Sequence, residues 1–99
     1  MIMRMVLVDV PVEMAAEAER RLWKNECAPL MIGQPGCISE QLIRSRNNPG
    51  EFISLSTWMN QADIDRYRAG MAHKAIEQHV HALLIEAKTE VKTYDIVKW

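Results

Sequence analysis

Residues 37–58 read as an antiparallel hairpin, and that hairpin leaves few folds open to the chain. Cys37–Arg44 and Glu51–Trp58 are alternating stretches, and the segment SRNNPG between them (residues 45–50) is dense in turn formers. In the first strand the alternation sets Ile38 and Leu42 on one face, with Cys37 and Ile43 on the other. In the second, Phe52, Ser54, Ser56 and Trp58 share a face, and Ile53, Leu55 and Thr57 share the opposite one. The first of these faces runs large, small, small, large. Two serines between two aromatics leave volume, and their hydroxyls can bond to whatever fills it. This face reads as the floor of a pocket, with side chains of neighbouring strands as the alternative filling.

Flanking segments complete the pattern. Met1–Val10 alternates weakly, with Ile2, Val6, Val8 and Val10 against Met3, Met5, Leu7 and Asp9, so the strand is apolar on both faces. Pro11 presets a first helical turn, and a helix from about Val12 carries a stripe of Ala15, Ala18 and Leu22 with Trp23 at its edge. Pro29 kinks or ends that helix, and Gln34-Pro35-Gly36 is a turn into the hairpin. After Trp58, Asn60 is a good N-cap and Gly70 closes a short helix. Met71–Lys88 shows helical apolar spacing, with His79 inside the stripe, His73 on its border and His81 on the wet side. Glu90–Trp99 alternates again, with Tyr94 and Ile96 on one face and Val91, Thr93 and Val97 on the other.

The order β-α-β-β-α-β is the split, ferredoxin-like α+β plan, a single domain over residues 1–99 whose four-stranded antiparallel sheet has helices on one face. Strands one and three are nonetheless apolar on both faces. A lone subunit would expose several hundred Å² of apolar sheet, more than soluble monomers usually tolerate. A second copy of the chain is the simplest cover, so a homodimeric α/β barrel is expected.

Composition narrows the partners. A net charge of −1 leaves nothing to track a phosphate backbone, so no nucleic acid is expected. No apolar run approaches the roughly 20 residues of a membrane span. MIMRMVLVDV lacks a signal-peptide cleavage pattern, which makes a cytoplasmic address the expectation. Cys27 and Cys37 form no CxxC, no two histidines stand four apart and no carboxylates cluster, so no metal centre is expected. Ser54 and Ser56 lack an elbow motif or a neighbouring base, which leaves nucleophilic catalysis without support. The best chemical material is Trp58, where strand becomes turn, with Tyr67 and His73 following within fifteen residues. Each also has a plain structural reading: Trp58 locking the turn onto the sheet, Tyr67 packing a helix, His73 half-exposed, and His79 hydrogen-bonded between helix and sheet.

The segments QPGCISEQLIRS, GEFISLSTW and ADIDRYRAGMAHKAI resemble the antibiotic biosynthesis monooxygenase domain, a family of small dimeric α/β barrels. The resemblance rests on Pro35-Gly36 before strand two, Ser54 to Trp58 ending strand three, and His73 near the start of the following helix, and it covers nearly the whole chain. It implies a cofactor-independent monooxygenase of a small aromatic, quinol- or polyketide-like substrate, using molecular oxygen. In that reading Trp58 walls the pocket, Tyr67 orients the substrate oxygen and His73 is the candidate base. Phe52, Ser54, Ser56 and His79 would then touch the substrate. The haem-degrading branch of the family uses an Asn, a Trp and a His ligand that fall here at Val6, Tyr67, and Ile76 or Glu77, so its mechanism does not carry over. Two further readings stay open: a carrier of haem or a small aromatic, using His73 or His79, and a non-catalytic dimeric module.

Overall fold

In the computed structural model, residues 1–21, 31–79 and 87–97 are described, His79 by its backbone alone. Strands β1 (Ile2–Asp9), β2 (Cys37–Arg44), β3 (Glu51–Trp58) and β4 (Lys88–Asp95) form one antiparallel sheet in the order β2-β3-β1-β4. Between β1 and β2 lie a 3₁₀ turn at Val12–Met14 and helix α1 (Ala15–Glu19); α2 (Gln61–Ala69) and α3 (Met71–His79) follow β3. This is the ferredoxin-like α+β fold.

The expected landmarks have clear local causes. Pro11 precedes the 3₁₀ turn with φ −55° and ψ 145°, the geometry its ring favours. The Gln34 carbonyl accepts from the Cys37 N–H across Pro35-Gly36, and Gly36 takes φ 82°, which the third residue of such a turn requires and side chains resist. The Ser45 hydroxyl accepts from the backbone N–H groups of Asn47 and Asn48, folding the hairpin loop. At its far end a Cβ on Gly50 would collide with the Val10 carbonyl, because Val10 N–H donates to Gly50 across this close approach. Asn60 caps α2 by accepting from Asp63 N–H at 3.0 Å, and Gly70 stands at its C-cap.

Helices and sheet meet on the face of Val8, Phe52 and Trp58. At one end Val8, Val10, Ala18 and Phe52 form an apolar cluster; at the other Met31, Trp58, Ile64 and Tyr67 form a second. The opposite sheet face carries Met3, Met5, Leu7, Ile53 and Leu55, which belong to neither cluster and keep part of their surface exposed. Ile43 and Tyr94, on the same face, are exposed outright.

Three expectations are corrected. A register shift between Cys37 and Ser39 sets Cys37 opposite Trp58 and Leu42 opposite Ser54, so Cys37 and Leu42 share the helix face rather than opposing ones. The fourth strand runs Lys88–Asp95, not Glu90–Trp99, because it pairs along β1 from Asp9 back to Ile2, leaving Ile96 and Val97 beyond its end. For the same reason the last helix cannot extend to Lys88, which is already strand. The expected roles of Leu22, Trp23, Cys27, Pro29, Val80, His81 and Trp99 lie outside the described residues.

Candidate functional site

Three aromatic rings stand in a row where the end of β3 meets α2 and α3. Trp58 ends β3 on its inward face, Tyr67 lies in the last turn of α2, and Gly70 breaks the helix so that His73 re-enters on the first turn of α3. Trp58 and Tyr67 have centroids 5.2 Å apart at 34°; Tyr67 and His73 are also 5.2 Å apart, edge to face at 85°. Trp58 is 0% exposed, Tyr67 is buried, and the His73 side chain keeps 19% of its surface, so the row opens to solvent through the imidazole.

Beneath the rings runs a polar rung. The register sets Glu40 of β2 opposite Ser56 of β3, and Ser56 opposite Arg4 of β1. Both charged residues face inward and are nearly closed off, Arg4 at 6% and Glu40 at 7% exposure. Ser56 Oγ accepts from Trp58 Nε1 at 2.8 Å and donates to the Arg4 carbonyl at 3.4 Å. Ser54 Oγ donates to Glu40 Oε1 at 2.6 Å. The Arg4 guanidinium lies 5.9 Å from the Tyr67 ring centroid, within cation–π range. The hydroxyls of both serines are thus engaged by this chain's own side chains, and the volume expected over them is taken up in part by Glu40, Arg4 and the indole.

Electrostatics follow from this enclosure. Burial, only partly offset by the Ser54 hydrogen bond and the positive Arg4, pushes the Glu40 carboxyl up to about 7. Burial likewise lowers Arg4 and holds His73 below its usual range, with Glu77 pulling His73 the other way. His73 Nδ1 lies 3.1 Å from Glu77 Oε1, one turn along α3. In the neutral imidazole, Nδ1–H donates to that carboxylate and Nε2 keeps the lone pair.

Of the residues singled out by sequence, Trp58, Tyr67 and His73 come together, with Ser56 joined to Trp58 and Ser54 beside it. Phe52 lies in the apolar cluster at the opposite end of β3, and nothing is described of the His79 side chain. Arg4 and Glu40 are the residues that sequence reasoning overlooks. Arg4 sits between Ile2 and Val6 on an inward face, and the two-residue period that turns Leu42 inward turns Glu40 inward as well.

A cavity of about 280 Å³ lies elsewhere, lined by Leu7, Val8, Asp9, Glu51, Lys88, Thr89 and Glu90. Asp9 pairs with Glu51 and Ile2 with Trp58, so this cavity and the ring row occupy opposite ends of the sheet. Among the described residues no cluster of His, Cys, Asp and Glu could hold a metal ion, and no helix is long and apolar enough to cross a membrane.

A family model described as antibiotic biosynthesis monooxygenase matches residues 1–79. Among solved structures, a candidate antibiotic biosynthesis monooxygenase from Deinococcus radiodurans superposes with a TM-score of 0.84 at 16% identity, covering 100% of this chain and 95% of that one. A point mutant of SnoaB, a cofactor-independent oxygenase from Streptomyces nogalater, gives 0.81 at 18% identity, covering 99% and 94%. Rv0793 from Mycobacterium tuberculosis gives 0.75 at 19%, covering 100% and 98%. At these identities the likeness is one of fold. Among curated proteins, none matches the chain by sequence.

Proposed function

The chain belongs to the antibiotic biosynthesis monooxygenase family, and from that premise we propose that it is a cofactor-independent monooxygenase of a small aromatic, quinol- or polyketide-like substrate. The observation that carries the reading is the row Trp58–Tyr67–His73, with Glu77 backing the imidazole. It offers a proton acceptor at its open end, held in place by two packed aromatic rings behind it. The description of SnoaB as a cofactor-independent oxygenase supports the chemistry.

For an anthrone-like substrate the reaction balances without a cofactor. The methylene carbon loses two hydrogens and gains one oxygen atom from O₂ as a carbonyl, while the second oxygen atom leaves as water. The substrate supplies all four electrons. Its first requirement is deprotonation, because the anion gives an electron to oxygen far more readily than the neutral molecule. His73 Nε2 takes that proton, and the Glu77 carboxylate stabilises the imidazolium that results. Tyr67 orients the substrate oxygen, and Trp58, enclosed behind it and pinned through Ser56, fixes the Tyr67 ring. The apolar face of Met3, Met5, Leu7, Ile53 and Leu55 is covered by a second copy of the chain, giving a homodimer.

Oxygen uptake over a panel of anthrones and quinols tests the activity. His73→Ala should lower turnover about 100-fold or more, and Trp58→Ala should abolish it while the particle mass stays that of a dimer. Wild-type uptake no faster than buffer, or full activity in both variants, would overturn the reading.

A further inference from the structure

Glu40 is built into the site in a way that the oxygenase reading does not use. Its Oε1 accepts from Ser54, yet its Oε2 is buried with no partner, and among the described residues it is the one buried side-chain oxygen or nitrogen in that condition. A buried carboxylate oxygen left without a donor costs on the order of 1–3 kcal/mol, and more when ionised. Native structures keep such atoms where something else supplies the donor. No described ion pair relieves it: Arg4, across Ser56, lies near enough to act through charge but turns its guanidinium towards the Tyr67 ring. Glu40 also belongs to β2, an edge strand of the sheet.

We propose that Glu40 Oε2 accepts the hydrogen bond of a substrate hydroxyl, making Glu40 a substrate-binding residue and the free phenolic O–H a required feature of the ligand. The proposal deepens the oxygenase reading and takes its aromatic substrate class from it. A neutral donor fits better than an anion, since a ligand carboxylate would meet the Glu40 charge at short range. A methyl ether of the same skeleton has no hydrogen to give and leaves Oε2 orphaned, so the site discriminates hydroxylated from O-methylated molecules.

The titratable and charged groups on the elements around this rung include Arg4 on β1, Cys37 on β2, Asp63, Tyr67 and Arg68 on α2, and His73 with Glu77 on α3. His73 is held below its ordinary 6.5 and Cys37 above its ordinary 9.0 by burial. Glu40, at about 7, changes charge across neutral pH, and burial moves the transitions of His73 and Cys37 away from it on either side.

The test compares 1-naphthol with 1-methoxynaphthalene by isothermal titration calorimetry on the intact protein. At pH 8, 1-naphthol should bind about tenfold tighter or more, the strength of a hydrogen bond to a charged acceptor. At pH 6.5 that preference should shrink by about half or more, an arm that needs no variant. In Glu40→Gln the preference should be small at both pH values. Equal affinities at pH 8, a preference that survives unchanged in Glu40→Gln, or binding of neither probe would each overturn the assignment. Failure of the oxygenase reading looks different: no oxygen uptake with quinols while the Glu40-dependent preference persists.

Discussion

The two ends of the inward sheet face are built from different materials. Around Phe52 the neighbours are Val8, Val10 and Ala18, with Val6, Leu42 and Ile76 packed alongside. Around Trp58 the packing includes Ile64 and Met31, yet the sheet beneath it holds Arg4, Glu40 and Ser56. The first end gains from every apolar contact and desolvates no charge. The second encloses an acid and a base that its own hydrogen bonds only partly satisfy. A small domain is only marginally stable, so the enclosed polar groups make the Trp58 end the less favourable of the two to bury.

The sharpest way to break this comparison is to remove a large side chain from the apolar end. Phe52→Ala should cost about 3–5 kcal/mol, lowering Tm by more than roughly 10 °C for a domain of this length. A loss of only a degree or two in a thermal melt would mean the apolar end does not carry the fold. Glu40→Gln tests the polar end with the opposite sign. The Glu40 carboxyl lies near its ordinary 4.5 in the unfolded chain and at about 7 in the folded one, so the fold favours the protonated acid. Its stability contribution is whole below pH 4.5 and is lost as pH rises through 7. The variant should therefore match wild type near pH 4.5 and exceed it at pH 8 by up to about 3 kcal/mol. A variant less stable than wild type at pH 8 would show that the ionised carboxylate is satisfied after all.

A smaller effect sharpens the picture at the same end. Ser56→Ala leaves the Trp58 indole N–H buried without its acceptor and should cost about 1 kcal/mol or slightly more. A chemical-denaturation midpoint unmoved by Ser56→Ala would show the hydrogen bond to be dispensable. The smallest change is expected on β4, where Val91 is exposed: Val91→Thr should stay within about 0.5 kcal/mol of wild type.

Most of the architecture is legible in the residues themselves. Strand alternation, the SRNNPG loop, Asn60 and Gly70 each mark a boundary through local chemistry, and local chemistry is what a sequence states directly. The Cys37–Ser39 irregularity is not local. It brings Cys37 against Trp58 and Glu40 against Ser56, so only the partner strand reveals it. The rings of the site are readable because aromatics near a strand end and a helix start are few in this chain. Arg4 is concealed for the opposite reason: inside Met1–Val10 it resembles one polar interruption of a greasy strand. That it turns inward beneath Tyr67 depends on a helix more than fifty residues later. Glu40 lies between these cases, since period two with Leu42 points it inward but says nothing of the oxygen it leaves unpaired.

β4 closes one edge of the sheet with all eight residues exposed, and it sets lysines 88 and 92 among Glu90 and Asp95. A stray strand docking there would have to accommodate those charges, which discourages stacking into open-ended fibrils. Charge thus guards the rim from which uncontrolled growth would start.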